Sequence, residues 1–436
     1  MWPYHPDLLE TPVPRYTSYP TAADFEAIEP EDLRRSIESA NGDVSLYLHI
    51  PFCEKICFYC GCNTGASGKR HRLEAYLAAL HTEIRTVASL LPSSARVKRI
   101  AFGGGSPNAI ETAEFLEIVG AIHRNFHLDG VEWSIELDPR TMSYSWGDAI
   151  AESGITRASM GVQTFAHHCQ VAIGREQSDA LICRSIDWLR GAGVTSLNFD
   201  LMYGLPEQSL EDLADSLQYT KLLGADRIAL FGYAHVPQIV KRQRAIDATN
   251  LPDKKARFDM AEFGHEYLTH EGYRQIGFDH FALPSDPLAV AARTGKLGRN
   301  FQGFTDDTAD TVIGLGSSAI SVFPELLSQN EKNSGQYRSL ASQGELTANH
   351  GKQRSAEDQL RGDVIKDLLC RGFAELTPCM LHQTSEQLRP FIDRELALVS
   401  GLELTILPAG LPYARAIAAQ FDPYRAQHAR QFSSAI

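Results

Sequence analysis

The stretch VSLYLHIPFCEKICFYCGCN, residues 44–63, decides the fold. It opens as a continuous apolar run, Val44 to Ile50, and passes straight into Cys53-x3-Cys57-x2-Cys60, with Cys62 two positions further on. An unbroken apolar run of this length, ended by a proline, suits a strand buried on both faces, as in parallel sheets. Four of the eight cysteines lie within ten residues here, and Cys169, Cys183, Cys370 and Cys379 are scattered. The N-terminus, MWPYHPDLLETPVP, has neither a basic n-region nor an apolar h-region, so a reducing, cytoplasmic setting is expected. There a tight cysteine cluster argues for metal or redox chemistry over disulfides. Three thiolates can hold three irons of a 4Fe–4S cluster and leave the fourth open to a small molecule. With Cys62 as fourth ligand the same residues would instead make a closed zinc knuckle or an electron-transfer cluster.

Working outward, five more β-rich runs follow: Val97 to Phe102, Val131 to Leu137, Ile155 to Val162, Val194 to Met202 and Arg227 to Tyr233. Amphipathic stretches separate them, the clearest carrying Leu73, Tyr76, Leu77, Leu80, Ile84, Val87 and Leu91 at helical spacing, with others near 111–126, 178–192 and 208–223. The alternation predicts right-handed βαβ units on a parallel sheet. About six units precede residue 255, too few for a complete eight-stranded barrel. Ligands collect at the C-terminal ends of parallel strands. The cysteine loop, Gly103-Gly104-Gly105-Ser106, Glu136, Gln163, Asp200 and Tyr233-Ala234-His235 all fall there. The glycine run predicts close backbone approach and N–H groups for a carboxylate or ribose. Residues 276–350 read as loop-rich, 330–356 as a linker, and the tail from 357 as helical.

The chain has 436 residues with 41 Lys and Arg against 54 Asp and Glu, a net charge of −13. That excludes a general electrostatic grip on nucleic acid. No run approaches the roughly 18 apolar residues of a membrane span. An anionic ligand must be met by a few local arginines.

The cysteine spacing and its glycine- and acid-bearing rim resemble the radical S-adenosylmethionine superfamily. Within it the chain is similar to the oxygen-independent coproporphyrinogen III oxidase family. The segments that carry this likeness are Arg15 to Ala22 (RYTSYPTA), Tyr47 to Cys53 (YLHIPFC), Gly174-Arg175-Glu176-Gln177, Asp200 to Pro206 (DLMYGLP), Asp279-His280-Phe281-Ala282 and Arg299-Asn300-Phe301-Gln302-Gly303. The resemblance implies an α/β fold: an incomplete (β/α)6 barrel within 44–356, an N-terminal substrate-facing segment over 1–43 and a C-terminal mostly helical domain over 357–436. It implies a 4Fe–4S cluster on Cys53, Cys57 and Cys60, with Cys62 nearby but not an obligatory ligand. Two S-adenosylmethionine molecules are implied at Tyr47, Tyr59, Gly104, Gly105, Ser106, Glu136, Gln163, Arg175, Asp200, Ala234 and Ile320.

The implied reaction converts two propionates of coproporphyrinogen III to vinyl groups, giving protoporphyrinogen IX, through a 5′-deoxyadenosyl radical that abstracts hydrogen. A flavodoxin- or ferredoxin-type donor and a monomeric enzyme are implied too. A substrate with four carboxylates needs cationic partners, for which Arg15 and Arg299 are candidates. Tyr16 and Tyr19 are candidates for the substrate slot, and Phe301 and Gln302 for closing the site. Asp279, His280 and His235 read as structural or supporting groups, since radical hydrogen abstraction needs no acid–base pair. The swaps from the family pattern, Phe102, Ser106 and Tyr59, keep ring or hydroxyl character. The competing readings are a haem-binding chaperone of the same superfamily, another tetrapyrrole-modifying radical enzyme and a structural zinc protein.

Overall fold

The computed structural model describes residues 1–68 and 70–425. All six expected strands form: β1 (Gly42–Ile50), β2 (Ala95–Gly104), β3 (Leu128–Leu137), β4 (Arg157–Gln163), β5 (Ser196–Tyr203) and β6 (Arg227–Gly232). They pair in chain order, every neighbour parallel. Helices α1 (Arg70–Leu90), α2 (Thr112–Asn125), α3 (Tyr144–Ser153), α4 (Asp179–Gly191), α5 (Leu210–Leu222) and α6 (Lys254–His270) lie between or after them. The apolar stripe foreseen on α1 is the buried one: Leu73, Tyr76, Leu77, Leu80, Ile84 and Val87 all pack into the main core. Burial of such a face, more than intrinsic propensity, is what holds a helix of this kind.

The sheet does not stop at six strands, nor does it close. Thr311–Leu315 adds in parallel on the outer side of β1, placing Gly314 opposite Tyr47, and Ile320–Val322, Leu326–Asn330 and Ala348–Gln353 follow antiparallel. Beyond β6 the sheet continues antiparallel through His280–Ala282 and Arg274–Ile276. The expectation of a loop-rich 276–350 and of a linker over 330–356 is therefore corrected. These strands are short and rich in Ser, Gln, Asn and Gly, so they show little periodicity. They exist because long-range partners complete their hydrogen bonds.

A second core gathers the first residues and the C-terminal region. Leu9, Val13, Tyr16 and Tyr19 pack against Ile365, Leu368, Leu388, Tyr413 and Phe421. The tail carries Ala356–Arg371 and Pro378–Ile392 as helices and also a small antiparallel sheet of Phe373–Glu375, Glu403–Ile406 and Ala397–Ser400. Residues 426–436, the end of the expected C-terminal domain, lie outside those described. Among the described residues no helix is long and apolar enough to cross a membrane.

Candidate functional site

The cysteine loop leaves β1 at Pro51 and is pinned at both flanks. Phe52–Cys53 pairs with Gly65–Ala66, and the amides of Gly105 and Ser106 donate to Ile50 O at 2.9 Å and Phe52 O at 2.8 Å. A Cβ on Gly105 would sit 2.6 Å from Phe52 O, so only glycine permits this contact. Gly104 has φ +112 and donates its N–H to Glu136 Oε2 at 3.3 Å. The amides of Gly104, Gly105 and Ser106 are thus engaged within the chain, a correction to the expectation that they face a ligand. What the run supplies is close approach of Tyr47, Glu136 and the cysteine loop.

The three cysteines sit in different surroundings. Cys57 is buried, and its Sγ accepts from Arg140 Nη2 and Arg175 Nη1, both at 3.3 Å. The same two guanidiniums hold Asp138, Arg140 at 2.6 Å and Arg175 at 3.2 Å. Burial of Asp138 opposes its ionisation, but Arg175 and Arg140 outweigh it and keep the carboxyl below its ordinary range. Cys53 Sγ accepts from Thr64 Oγ1 at 3.2 Å, and burial pushes its thiol up. Cys60 Sγ accepts the Cys62 amide at 3.4 Å; hydrogen bonding from the Cys62 side chain lowers it to about 6, despite burial. Cys62 is therefore a hydrogen-bonding neighbour of a ligand candidate.

Phe58 and Tyr59, inside the loop, anchor it to the far rim. Phe58 N–H donates to Ile173 O, and Gln243 Nε2 bridges Tyr59 O and Ala234 O, each at 3.0 Å. Arg140, Asp138 and Gln243 escaped the sequence reading. The only signal was an Asp-Pro-Arg turn, two positions beyond Glu136 on the same strand end.

The barrel interior opens beneath this loop as a cavity of about 1270 Å³ lined by Glu136, Ser159, Asp200, Phe231, His280 and Gln302, among others. Burial, then the neighbouring Asp200, raises Glu136 to about 7. Burial also raises Asp200, whose carboxylate accepts from Ser159 Oγ at 3.1 Å and Asn198 Nδ2 at 2.8 Å. Gln163 ends β4 at φ +68, a left-handed conformation that costs a non-glycine residue energy and marks a functional position. Arg175, which meets Cys57, also donates to Gly161 O at 2.6 Å, and so links β4 to the cysteine loop. Tyr47 meets Phe301 edge-on at 4.7 Å and hydrogen-bonds His49 Nδ1 at 3.1 Å; burial lowers His49 to about 4, so its ring is neutral. Ile320 is half-buried on the strand beyond Thr311–Leu315. Ala234 follows β6, where it lines a second cavity.

The proposed substrate residues divide. Phe301 and Gln302, on the hairpin of Gly298–Asn300 and Gly303–Thr305, reach the barrel site. Arg15 reaches the second cavity. Arg299 instead donates to the carbonyls of Arg15 and Tyr16 and lies over the Phe304 ring at 4.3 Å. Tyr16 is buried and donates its hydroxyl to Asp422 at 3.0 Å, and Tyr19 packs beside Tyr424. Asp279 binds His280 Nδ1 at 2.7 Å and faces Arg15 at 3.8 Å. His235 pairs with the Tyr233 hydroxyl at 2.9 Å.

The donor set fits an iron–sulfur cluster. It offers three thiols on a pinned loop, N–H groups aimed at Cys57 sulfur and a position with no fourth required thiolate, and N–H···S bonds tune such clusters. A cysteine loop above the strand ends of a parallel α/β sheet defines a radical S-adenosylmethionine protein, and the Radical SAM superfamily model matches residues 47–220. The oxygen-independent coproporphyrinogen III oxidase of Paracoccus denitrificans is 39% identical over 434 residues, covering 96% of this chain and 95% of that protein. The Escherichia coli enzyme of the same name is 36% identical, covering 97% and 96%. The solved structure of Escherichia coli coproporphyrinogen III oxidase, described as a radical SAM enzyme, superposes with a TM-score of 0.90 at 35% identity, covering 94% of this chain and 97% of that one. The chain belongs to the oxygen-independent coproporphyrinogen III oxidase family.

Proposed function

We infer that this chain catalyses the oxygen-independent oxidative decarboxylation of coproporphyrinogen III to protoporphyrinogen IX, in haem biosynthesis. The observation that carries this reading is the convergence of the cysteine loop, the Glu136–Asp200 pair and the Phe301–Gln302 hairpin on one rim. Cys53, Cys57 and Cys60 would hold the 4Fe–4S cluster. When bound, it supplies the electron for reductive cleavage of S-adenosylmethionine, the source of the hydrogen-abstracting radical.

The chain's own residues then have definable tasks. Arg140 and Arg175 stabilise negative charge on the Cys57 sulfur, and Asp138 holds both guanidiniums in place. Glu136 and Asp200 are acceptors for hydroxyl and ammonium groups of the cofactor, and Tyr47, Tyr59, Gly104, Gly105, Ser106, Gln163, Arg175, Ala234 and Ile320 line its two positions. Phe301 closes over Tyr47 and keeps water from the reacting groups. The low-potential donor is of flavodoxin or ferredoxin type, and the enzyme acts as a monomer.

The deciding experiment is anaerobic reconstitution followed by reductant, S-adenosylmethionine and coproporphyrinogen III, with product mass as readout. Loss of two carboxyl groups is expected. Cofactor cleavage with all four carboxyls retained, or stoichiometric haem binding without decarboxylation, would sink this reading.

A further inference from the structure

A second cavity lies where the barrel meets the N-terminal segment and the C-terminal region. It opens beside the ends of β5 and β6 and is lined by Arg15, Tyr203, Arg257, Asp279 and Arg415 together with apolar groups. Three arginines face one carboxylate, in a chain of net charge −13. The single acid is occupied elsewhere: Asp279 is bound to His280 at 2.7 Å and stands 3.8 Å from Arg15. Arg257 has no carboxylate within 4.0 Å among the described residues; Nη2 donates to Tyr233 O at 2.7 Å, and its buried Nε has no partner. Burial lowers Arg257 and Arg415, the latter to about 10, with Arg15 adding to that cost at Arg415. Clustering like charges out of water is unfavourable unless an anion completes the site.

We propose that Arg15, Arg257 and Arg415, with the Tyr203 hydroxyl, form a carboxylate pocket that anchors a retained propionate of the porphyrinogen. The proposal rests on the function inferred above and extends it to four named groups, of which only Arg15 was suggested by the sequence. Planar guanidiniums pair bidentately with carboxylates, and Tyr203 adds a neutral donor. The chemistry selects which propionate binds. Decarboxylation turns a carboxylate into neutral carbon dioxide, so ion pairing at that group stabilises the starting state and opposes the step. A pocket of arginines therefore suits a side chain that keeps its carboxylate.

The test uses the full-length reconstituted enzyme with Arg257→Met and Arg415→Met. Binding is read with coproporphyrin III, the stable oxidised tetra-acid, and with its tetramethyl ester. Each variant should bind the tetra-acid about tenfold or more weakly and the ester as the wild type does, with unchanged cluster absorbance and thermal midpoint. Arg257→Lys, which keeps the charge, should recover part of the loss. Product masses should still show two decarboxylations per turnover. Unchanged tetra-acid binding in both Met variants of an active enzyme overturns the pocket alone. Accumulation of a singly decarboxylated product overturns the assignment to a retained propionate. A wild type that neither binds nor converts the porphyrinogen overturns the underlying function, and the pocket with it.

Discussion

Two groups of charged side chains flank the same barrel and differ in how they are completed. At the N-terminal ends of the strands, Arg157 meets Asp306 at 2.7 Å and Glu132 at 2.6 Å, and Arg99 meets Asp306 at 2.8 Å. Burial opposes ionisation of Asp306, but Arg157 and Arg99 more than offset it and hold its carboxyl far below the ordinary range. At the C-terminal ends, Arg15, Arg257 and Arg415 share one acid that is already bound to a histidine. The lower group is saturated by the chain itself and closes the barrel floor. The upper group carries excess cationic charge and is completed by a ligand. Buried charge thus marks structure where it is paired and function where it is not.

The comparison breaks most visibly at Asp306. Asp306→Asn removes the shared partner of two arginines and should cost about 3–5 kcal/mol of stability, read as a fall in the thermal midpoint; a melt indistinguishable from wild type would contradict the saturated-floor description. Ligand linkage should be nearly as large at the other end. Coproporphyrin III at a hundredfold excess over its Kd should stabilise the wild type by about 2.7 kcal/mol and Arg257→Met, at the same concentration, by much less.

A third buried charge sharpens the contrast. Glu83, on α1, accepts hydrogen bonds from Tyr337 Oη at 2.6 Å, Gly316 N at 2.7 Å and Asn330 Nδ2 at 2.8 Å, with no cation, and burial raises it to about 7. Because the folded state binds this proton more tightly than the unfolded chain, its contribution is complete below the ordinary carboxylate value and is lost as pH rises toward 7. The slope should reach about 1.4 kcal/mol per pH unit at most, and Glu83→Gln should flatten that part of the profile of thermal midpoint against pH. Last, Arg257→Met should leave the stability of the free protein within about 1 kcal/mol of wild type. A large loss there would show Arg257 to be a structural cation like Arg157.

Much of this was legible before any coordinates. Val44 to Ile50 and its five successors are the six parallel strands, and Cys53, Cys57, Glu136 and Asp200 reach one rim because β/α alternation sends every strand end the same way. The strands beyond β1 were not legible, since Thr311–Leu315 is defined by pairing with a segment far away in the chain. Arg140 lay one turn past a noticed acid, yet only folding shows that it meets Cys57.

Sequence alone determined the strand–helix order, the ligand spacing and the absence of a broad cationic surface, because these depend on local periodicity, residue chemistry and total charge. Tertiary structure decided how charges are distributed between compensated and uncompensated sites. Arg15, Arg257 and Arg415 come from three distant segments, and Arg99, Arg157 and Asp306 from three others. A guanidinium's role is set by its neighbours within a few ångströms, which chain order does not encode.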